Sequence, residues 1–251
     1  MIGLAIEGLN IIDAWVRAAR AFSAPGFAND HIAVVASNEW IETPQRLRAL
    51  DDQAKAVQTE RPSSVANVLC PAPMITAPGN TLAKITRGWE FLGRGRQQDI
   101  HYSGWKDTYF ERLTGHRAPK AGEYEKFKEN RLLSIITKIN SWNQNVASAL
   151  YAHSDIPSDT LRTRGAPCLQ YVQFRVFDGD KIGVTGLYRS HDYLSKALGN
   201  MIGLQRLARF VAQETGRNVG RVTVISLVPI AQGGKGKLRN YANGVAGLYG
   251  F

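Results

Sequence analysis

The sequence predicts an α+β fold in which helices cover a mostly buried sheet. Residues 169–177 (LQYVQFRVF) are rich in β-branched and aromatic side chains, and the turn Asp178-Gly179 leads to a returning strand over 181–187. A long apolar helix over 192–214 and a further strand over 221–228 come next. The chain has 251 residues, so we expect a single domain over 1–251 that is large enough to bury a substantial core.

The remaining elements give weaker signals. Apolar side chains at helical spacing predict a helix over 6–22, and residues 31–36 indicate a short buried strand. Thr43-Pro44 is a typical helix start, and the helix is expected to reach about residue 58. The other expected elements are a proline-rich loop (61–80), a helix (81–91), an irregular segment (93–120), a helix (123–142), a C-cap at Gly216, a strand stop at Pro229 and a glycine-rich C-terminal loop or tail (232–251).

Charge and cysteine content limit the kinds of function. The formal net charge of +10 favours anionic partners, and nucleotides and nucleic acid both satisfy that condition. Cys70 and Cys168 are too few for a disulfide framework or a cysteine-based zinc site, and the five histidines lack metal-ligand spacing, so no metal is expected. No apolar run approaches the roughly 20 residues of a membrane span, and the start lacks a signal-peptide pattern. A cytoplasmic protein without a membrane partner is therefore expected.

The residues suited to chemistry lie in the second half of the chain. Cys168 follows Pro167 directly before a strand, where a thiol can serve as a fixed nucleophile, although most lone cysteines are small buried hydrophobes. Arg189 and Ser190 precede a helix and suit an anion, although a helix cap beside a surface arginine is the simpler explanation. Asn200 offers a donor and an acceptor to a pyrimidine edge, or is a structural asparagine with its hydrogen bonds satisfied.

The order and spacing of these segments resemble the superfamily of thymidylate synthases and pyrimidine nucleotide hydroxymethylases. The resemblance covers about 132–231 and is carried by Pro167-Cys168, Gln173-Phe174, Asp178-Gly179, Leu187-Tyr188-Arg189-Ser190-His191-Asp192 and Asn200. Weaker similarities are found at Asp13-Ala14-Trp15, Tyr109–Leu113 and 148–151. The resemblance implies a thymidylate synthase-like fold with one large twisted mixed sheet, helices on one face, and a homodimer in which two sheets pack back to back.

The resemblance also implies a mechanism. The Cys168 thiolate would add to C6 of a pyrimidine nucleotide, and C5 would then attack the one-carbon unit of 5,10-methylenetetrahydrofolate to gain a methyl or hydroxymethyl group. Arg189 and Ser190 would hold the phosphate, Arg189 would help to lower the thiol pKa, and Asn200 would favour uracil. The other residues expected at or near the site are Tyr188, Asp192, Tyr109, Glu111, Arg112, Arg162 and Arg164.

The chain also departs from the family pattern. Tyr188 replaces a glutamine, and residues 227–232 lack the histidine and tyrosine that hold the sugar in the family. The family's paired arginines are absent at Asn143-Gln144, although Arg162 and Arg164 could replace them, and the catalytic glutamate has only Glu90 and Glu111 as candidates. Two alternatives therefore stay open: a nucleotide-binding protein without catalysis, and a basic nucleic-acid-binding or assembly protein on the same fold.

Overall fold

The computed structural model describes residues 3–27, 31–97, 108–115, 129–141, 150–154 and 166–251. Among these residues the strands are β1 (Leu4–Gly8), β2 (Ile32–Ala36), β3 (Tyr151–His153), β4 (Leu169–Phe177), β5 (Lys181–Tyr188), β6 (His191–Asp192), β7 (Asn218–Ser226) and β8 (Pro229–Ile230). The helices are α1 (Ile11–Ser23), α2 (Pro44–Ala56), α3 (Pro62–Leu69), α4 (Ala72–Thr76), α5 (Thr81–Gln97), α6 (Tyr109–Thr114), α7 (Arg131–Ser141), α8 (Ala197–Glu214) and α9 (Lys235–Tyr249).

Six strands form one mixed sheet in the order β1-β2-β7-β5-β4-β3. The pairs β1–β2 and β5–β7 are parallel, whereas the other three pairs are antiparallel. The short strands β6 and β8 form a separate parallel pair just beyond the ends of β5 and β7. This topology confirms the expected α+β fold with one large mixed sheet.

The two faces of the sheet differ in burial. One row of register partners across all six strands is almost entirely buried: Ala152, Val172, Gly186, Val224, Val34 and Ile6. The neighbouring row, which points to the opposite face, is partly or fully exposed: His153, Tyr171, Leu187, Ile225, Ala33 and Ala5. Side chains alternate between the faces of a strand, so one face belongs to the core and the other is open.

Helix α8 is the central helix on the buried face. It packs on β5 and β7, and a Cβ added at Gly186 would lie only 2.8 Å from Leu204 of α8. On its other side α8 packs against α3, where a Cβ at Gly199 would meet the carbonyl oxygen of Pro62 at 2.8 Å. The two glycines therefore let α8 approach both the sheet and α3 closely.

The hairpin of the second half agrees with the sequence prediction. Strands β4 and β5 pair from Leu169 to Tyr188, and the turn places Asp178 at φ 49° and Gly179 at φ 82°. The register partners Phe177 and Lys181 leave a three-residue loop, 178–180, and the positive φ at its first two residues favours Asp-Gly. The predicted start of α2 is also confirmed, since Thr43 Oγ1 accepts the backbone N–H of Arg46 at 3.2 Å.

Two expectations for the first half were wrong. Residues 6–8, where the first helix was expected to begin, belong to strand β1, and α1 begins only at Ile11 because the Asn10 side chain caps it. The segment 61–80 contains helices α3 and α4 rather than mostly loop. Their prolines lie at or near the first helical positions, where the missing N–H costs nothing.

The end of the chain required a larger correction. Residues 235–249 form helix α9 instead of a glycine-rich loop or tail, and its buried side chains pack against α1. Pro229 lies in β8 rather than merely ending β7. Other boundaries also differ from the predicted ones: α8 begins at Ala197 rather than residue 192, and α5 extends to Gln97. Helix α6 lies within the segment that was expected to be irregular. Helix α7 is described only from Arg131 to Ser141.

Candidate active site

The candidate site lies where β4 begins and β5 and β7 end. Cys168 immediately precedes β4, and its carbonyl oxygen accepts the backbone N–H of Arg189 at 2.9 Å. The backbone N–H of Leu227 donates to the Tyr188 carbonyl at 2.9 Å, and that of His191 donates to the Val228 carbonyl at 2.9 Å. These bonds hold the segment from Tyr188 to His191 between Cys168 and the end of β7.

Tyr109 reaches Cys168 from helix α6. Its phenol oxygen accepts the backbone N–H of Cys168 at 3.2 Å and that of Leu169 at 3.3 Å. Burial, together with the nearby Cys168, raises the pKa of Tyr109 to about 12, so the phenol stays protonated at neutral pH. A residue that the sequence placed only among the secondary candidates thus fixes the backbone that carries the thiol.

Arg189 holds the turn that precedes Cys168. Its Nε donates to the Pro167 carbonyl at 3.0 Å and its Nη2 donates to the Ala166 carbonyl at 2.9 Å, while the side chain stays exposed. Ser190 is half-buried, and its hydroxyl has no hydrogen bond to a residue that the structure describes. The structure therefore brings Cys168, Arg189 and Ser190 to one place.

Opposing influences act on the Cys168 thiol. Burial is the largest and raises the pKa above its ordinary value, and the Asp192 carboxylate acts in the same direction. The positive charges of Arg189 and Lys196 lower the pKa but do not outweigh burial. The thiol therefore lies within reach of two cations that favour its thiolate form, although burial keeps it mostly protonated in this state.

A buried polar network surrounds His191. The Nδ1 atom of His191 lies 2.9 Å from Ser226 Oγ, and its Nε2 atom lies 3.1 Å from Asn200 Nδ2. Ser226 Oγ also lies 3.2 Å from the Tyr193 hydroxyl. Asn200, which we expect to contact the base, therefore belongs to the same hydrogen-bond network as His191, the third residue of the Arg-Ser-x-Asp segment.

Tyr188 occupies the position of the family's glutamine and packs beside this network. Its ring is stacked on the His191 ring, with centroids 4.0 Å apart and an interplanar angle of 1°. Its hydroxyl is buried without a hydrogen-bond partner among the described residues. Burial raises its pKa well above the ordinary value, and the neighbouring Tyr109 and Cys168 act in the same direction.

The carboxylates proposed from the sequence have structural partners. Asp192 accepts hydrogen bonds from Leu194 N at 3.0 Å and Ser195 Oγ at 2.6 Å, so it holds the turn before α8. Glu111 forms a capping box with Thr108 at the start of α6. Glu90 lies exposed on α5 and pairs with Arg87 at 2.8 Å.

Arg112 is buried and donates from Nη1 to the Ser154 carbonyl at 3.0 Å. It therefore connects α6 to the end of β3. Arg162 and Arg164, together with Asn143 and Gln144, lie outside the described residues. Their expected roles stay predictions.

An open cleft of roughly 1470 Å³ lies next to the turn before α8. Asp192, Ser195 and Lys196 line one side of it, and α2 with the following turn lines the other. Its wall carries equal numbers of basic and acidic side chains: Arg48, Lys55, Arg61 and Lys196, and Asp51, Asp52, Glu60 and Asp192. Because Asp192 and Lys196 also influence the Cys168 thiol, the cleft borders the thiol's surroundings.

The sequence pattern did not predict the role of Ser226. The residue lies on the buried face at the end of β7, in register with Tyr188 of β5. A hydroxyl that follows buried valines at alternate positions of a strand requires a hydrogen-bond partner, and that was the available signal. Its partner could not be identified from the sequence, because His191 is 35 residues away along the chain.

Two features are absent from the part of the chain that the structure describes. No group of three or more histidine, cysteine or acidic side chains within them is arranged to hold a metal ion. Among the helices that the structure describes, none combines the length and apolar character needed to cross a membrane.

Comparison with known proteins identifies relatives of this chain. No protein-family model matches it. The chain is 31% identical over 124 residues to a protein of Methanothermobacter thermautotrophicus named "Putative thymidylate synthase". The matched region is 49% of this chain and 50% of that protein. Proteins with the same name from Methanosarcina barkeri (36% over 72 residues, 29% of this chain and 33% of that protein) and Methanocaldococcus jannaschii (36% over 103 residues, 40% and 46%) also match.

The region matched by this chain spans about half, or less, of the length of these curated relatives. The similarity agrees with the resemblance carried by the Pro-Cys and Arg-Ser-His-Asp segments and with the mixed sheet of the structure. Over about half of its length, the chain is therefore a divergent thymidylate synthase-like relative of these proteins.

Proposed function

We propose that the protein transfers a one-carbon unit, as a methyl or hydroxymethyl group, to C5 of a pyrimidine nucleotide through a covalent bond between Cys168 and C6. The observation that carries the proposal is the position of the Cys168 thiol within reach of Arg189 and Lys196, next to a segment whose polar side chains suit a nucleotide. The name of the relatives supports the same class of reaction.

The chemistry requires an electron pair on sulfur. Cys168 Sγ forms a bond to C6, and C5 gains the carbanion character needed to attack the one-carbon unit. Loss of the C5 proton and cleavage of the bond between the one-carbon unit and the donor nitrogen would leave a methylene group on C5. Addition of a hydride from the tetrahydrofolate, which is thereby oxidised to dihydrofolate, would give the methyl group, and addition of water would give the hydroxymethyl group. In either case the electron pair of the C6–S bond would return to sulfur and regenerate the thiolate. Tyr109 fixes the backbone at Cys168 during these steps, because its phenol oxygen accepts two backbone N–H groups there.

The nucleotide would be held by its two ends. Ser190 has a hydroxyl with no bond to a described residue, and the exposed Arg189 guanidinium lies beside it, so the pair suits a phosphate. Asn200 suits the base edge because a carboxamide both donates and accepts. As the resemblance implies for an asparagine at this position, we expect uracil to be preferred over cytosine.

A folate-class one-carbon donor fits the cleft beside Asp192 and Lys196. The volume exceeds what a drug-sized molecule needs, and the wall carries four basic and four acidic side chains, so it offers both donors and acceptors to the polar groups of such a donor. When bound, the donor would supply the one-carbon unit. Lys196 would then stand between the cleft and the thiol, since it lines the former and lowers the pKa of the latter.

A homodimer formed through the open face of the sheet belongs to the same proposal. Tyr171, Leu187 and Ile225 are neighbours in register on that face and are only half-buried. The exposed Tyr151 ring stacks on Tyr171 with centroids 5.6 Å apart. Leu187→Glu should therefore yield monomers in sedimentation experiments, whereas a dimer that persists in this variant would contradict the assignment of the face.

The test of the reaction is release of tritium from C5-labelled dUMP, UMP, dCMP and CMP, with and without methylenetetrahydrofolate. We expect release from a uracil nucleotide, loss of release in Cys168→Ser, and retained release in Cys70→Ser, since Cys70 lies buried away from these residues. No release from any nucleotide by the folded protein, or full release by Cys168→Ser, would contradict the proposal.

A second candidate is a protein that binds pyrimidine nucleotides without turnover. It is favoured by the raised pKa of Cys168 and by the contacts of the two candidates for the implied catalytic glutamate, since within the described residues Glu111 caps α6 and Glu90 pairs with Arg87. Calorimetric binding of dUMP without tritium release would support this candidate. Binding to both dUMP and single-stranded DNA, with steep salt dependence only for DNA, would instead indicate a nucleic-acid ligand.

A further inference from the structure

We propose that His191 is a specificity-determining positioning residue, because it fixes the orientation of the Asn200 carboxamide and thereby determines which pyrimidine base the site accepts. The inference rests on the proposed function, since it assumes that Asn200 contacts the base. It adds a role for a residue to which the resemblance assigns none. The contacts that carry it are those of His191 with Asn200, Ser226 and Tyr188.

The tautomer of His191 is coupled to the orientation of the Asn200 carboxamide. In the observed orientation, Asn200 Nδ2 faces His191 and can only donate, so Nε2 of His191 accepts at 3.1 Å. The ring proton then lies on Nδ1, which donates to Ser226 Oγ at 2.9 Å. Burial lowers the pKa of His191 to about 3, and a neutral ring with one donor and one acceptor agrees with this assignment.

The surroundings hold the imidazole in place. Its ring lies parallel to Tyr188 at a centroid distance of 4.0 Å, and Tyr193 packs against its edge at 5.5 Å. Tyr193 is itself anchored, because its carbonyl accepts the indole N–H of Trp15 at 3.3 Å. A half-turn of the ring about its Cβ–Cγ bond would put Cδ2 and Cε1 in the places of Nδ1 and Nε2 and would lose both hydrogen bonds, so the ring is held in this orientation.

While the ring proton stays on Nδ1, the Nε2 acceptor holds the carboxamide in this orientation. If the amide of Asn200 turned by 180°, Oδ1 would face Nε2 and two acceptors would oppose each other. In the observed orientation Nδ2 faces His191, and Oδ1 has no hydrogen bond to a described residue. Oδ1 and the second N–H of Nδ2 are therefore the groups that remain for a ligand.

The orientation matters because uracil and cytosine present opposite edges. Uracil offers a donor at N3 and an acceptor at position 4, whereas cytosine offers an acceptor at N3 and a donor at position 4. A freely turning carboxamide could satisfy either base, but one held by His191 satisfies only one of them. A base with the wrong edge would leave buried polar groups unpaired, which costs affinity.

The test compares the affinities of wild type, His191→Phe and Ser226→Ala for dUMP and dCMP by calorimetry. Phenylalanine keeps a ring on Tyr188 and removes both hydrogen bonds, and alanine at 226 removes only the partner that fixes the tautomer. We expect the ratio of the two dissociation constants to move at least about tenfold towards one in His191→Phe, which corresponds to one hydrogen bond. Ser226→Ala should move it in the same direction by less.

Asn200→Ala serves as the control, with affinity lost for both nucleotides. An unchanged ratio in a folded His191→Phe protein that still binds would overturn the inference while leaving the proposed function in place. Wild-type protein that binds neither nucleotide would overturn the proposed function and the inference with it. Nitrogen NMR of the histidine ring gives an answer independent of ligands, because a proton on Nε2 would overturn the inference directly.

Discussion

The phenol oxygen of Tyr109 accepts the backbone N–H groups of Cys168 and Leu169, so a single hydroxyl from α6 holds the first residues of β4. Tyr109→Phe leaves both backbone groups without this acceptor. We expect the free energy of unfolding to fall by about 1–3 kcal/mol, as measured by urea denaturation. Tyr151→Phe, at an exposed tyrosine, should change it by less than about 0.5 kcal/mol. Equal effects in both variants would contradict the assigned contact.

The two cysteines should differ sharply in reactivity. Cys70 is fully buried and burial raises its pKa strongly, whereas Cys168 is only partly buried. Iodoacetamide should therefore modify native protein at Cys168 alone, and Cys70 should react only in denaturant. Peptide mass spectrometry after labelling would show this, and modification of Cys70 under native conditions would be the contrary result.

The charge of Arg189 should affect the rate of that modification. Its guanidinium lowers the pKa of the Cys168 thiol against the effect of burial, so Arg189→Gln should raise the pKa further. At pH 8 we expect alkylation of Cys168 to become several-fold slower, because the thiolate is the reactive form. Arg175→Gln, at an exposed position on β4, is the matched control, and its rate should equal that of wild type.

His191 should make stability depend on pH in the acid range. Burial lowers its pKa from the ordinary 6.5 to about 3, so the stability contributed by the neutral ring is present above pH 6.5 and is lost as pH falls towards 3. The advantage of wild type over His191→Phe should therefore shrink by about 1 kcal/mol per pH unit below pH 6. Urea denaturation at pH 7, 6 and 5 measures this, and parallel pH curves for the two proteins would contradict it.

Helix α9 should contribute substantially to stability. Leu238 is 0% exposed, whereas Leu248 on the same helix is 43% exposed. Leu238→Ala should lower the free energy of unfolding by about 2–5 kcal/mol, while Leu248→Ala should change it by less than about 0.5 kcal/mol. A negligible effect of Leu238→Ala would favour the loosely held tail that the glycine content suggested.

What could be predicted from the sequence depended on how local the determining interactions were. The β4–β5 hairpin is specified by its alternating residues and by Asp178-Gly179, all of which are near one another in the chain. By contrast, β1 is a strand because it pairs in parallel with β2, more than twenty residues away. Its five residues carry no pattern strong enough to show this alone.

The glycines of α9 explain a second error. Glycine lowers intrinsic helix propensity, so Gly236, Gly244 and Gly247 argued against a helix. Packing of Leu238 and Tyr241 against α1 provides stabilisation that propensity does not include, and the Trp15 and Tyr241 rings meet at 5.0 Å. Tertiary contacts therefore overrode the local preference.

The same difference between local and distant interactions decides which parts of the candidate site could be predicted. Cys168, Arg189 and Tyr109 were proposed from motifs, and the structure brings them together. The pairing of His191 with Ser226 could not be foreseen, since it requires the register of β5 on β7. Glu111 was proposed for its chemistry but serves as a helix cap, because the Thr-x-x-Glu spacing also fits a capping box.

The parallel pairing of β5 and β7 has a consequence for the order of folding. Between the two strands the chain must travel back along the sheet through α8; His191 lies at the start of this crossover, and Ser226 is the last residue of β7. The hairpin β4–β5 can form early from neighbouring residues, but Ser226 reaches His191 only after α8 has docked and β7 has joined the sheet. A partly folded chain can therefore present Cys168 on a formed hairpin while the His191 network is still missing.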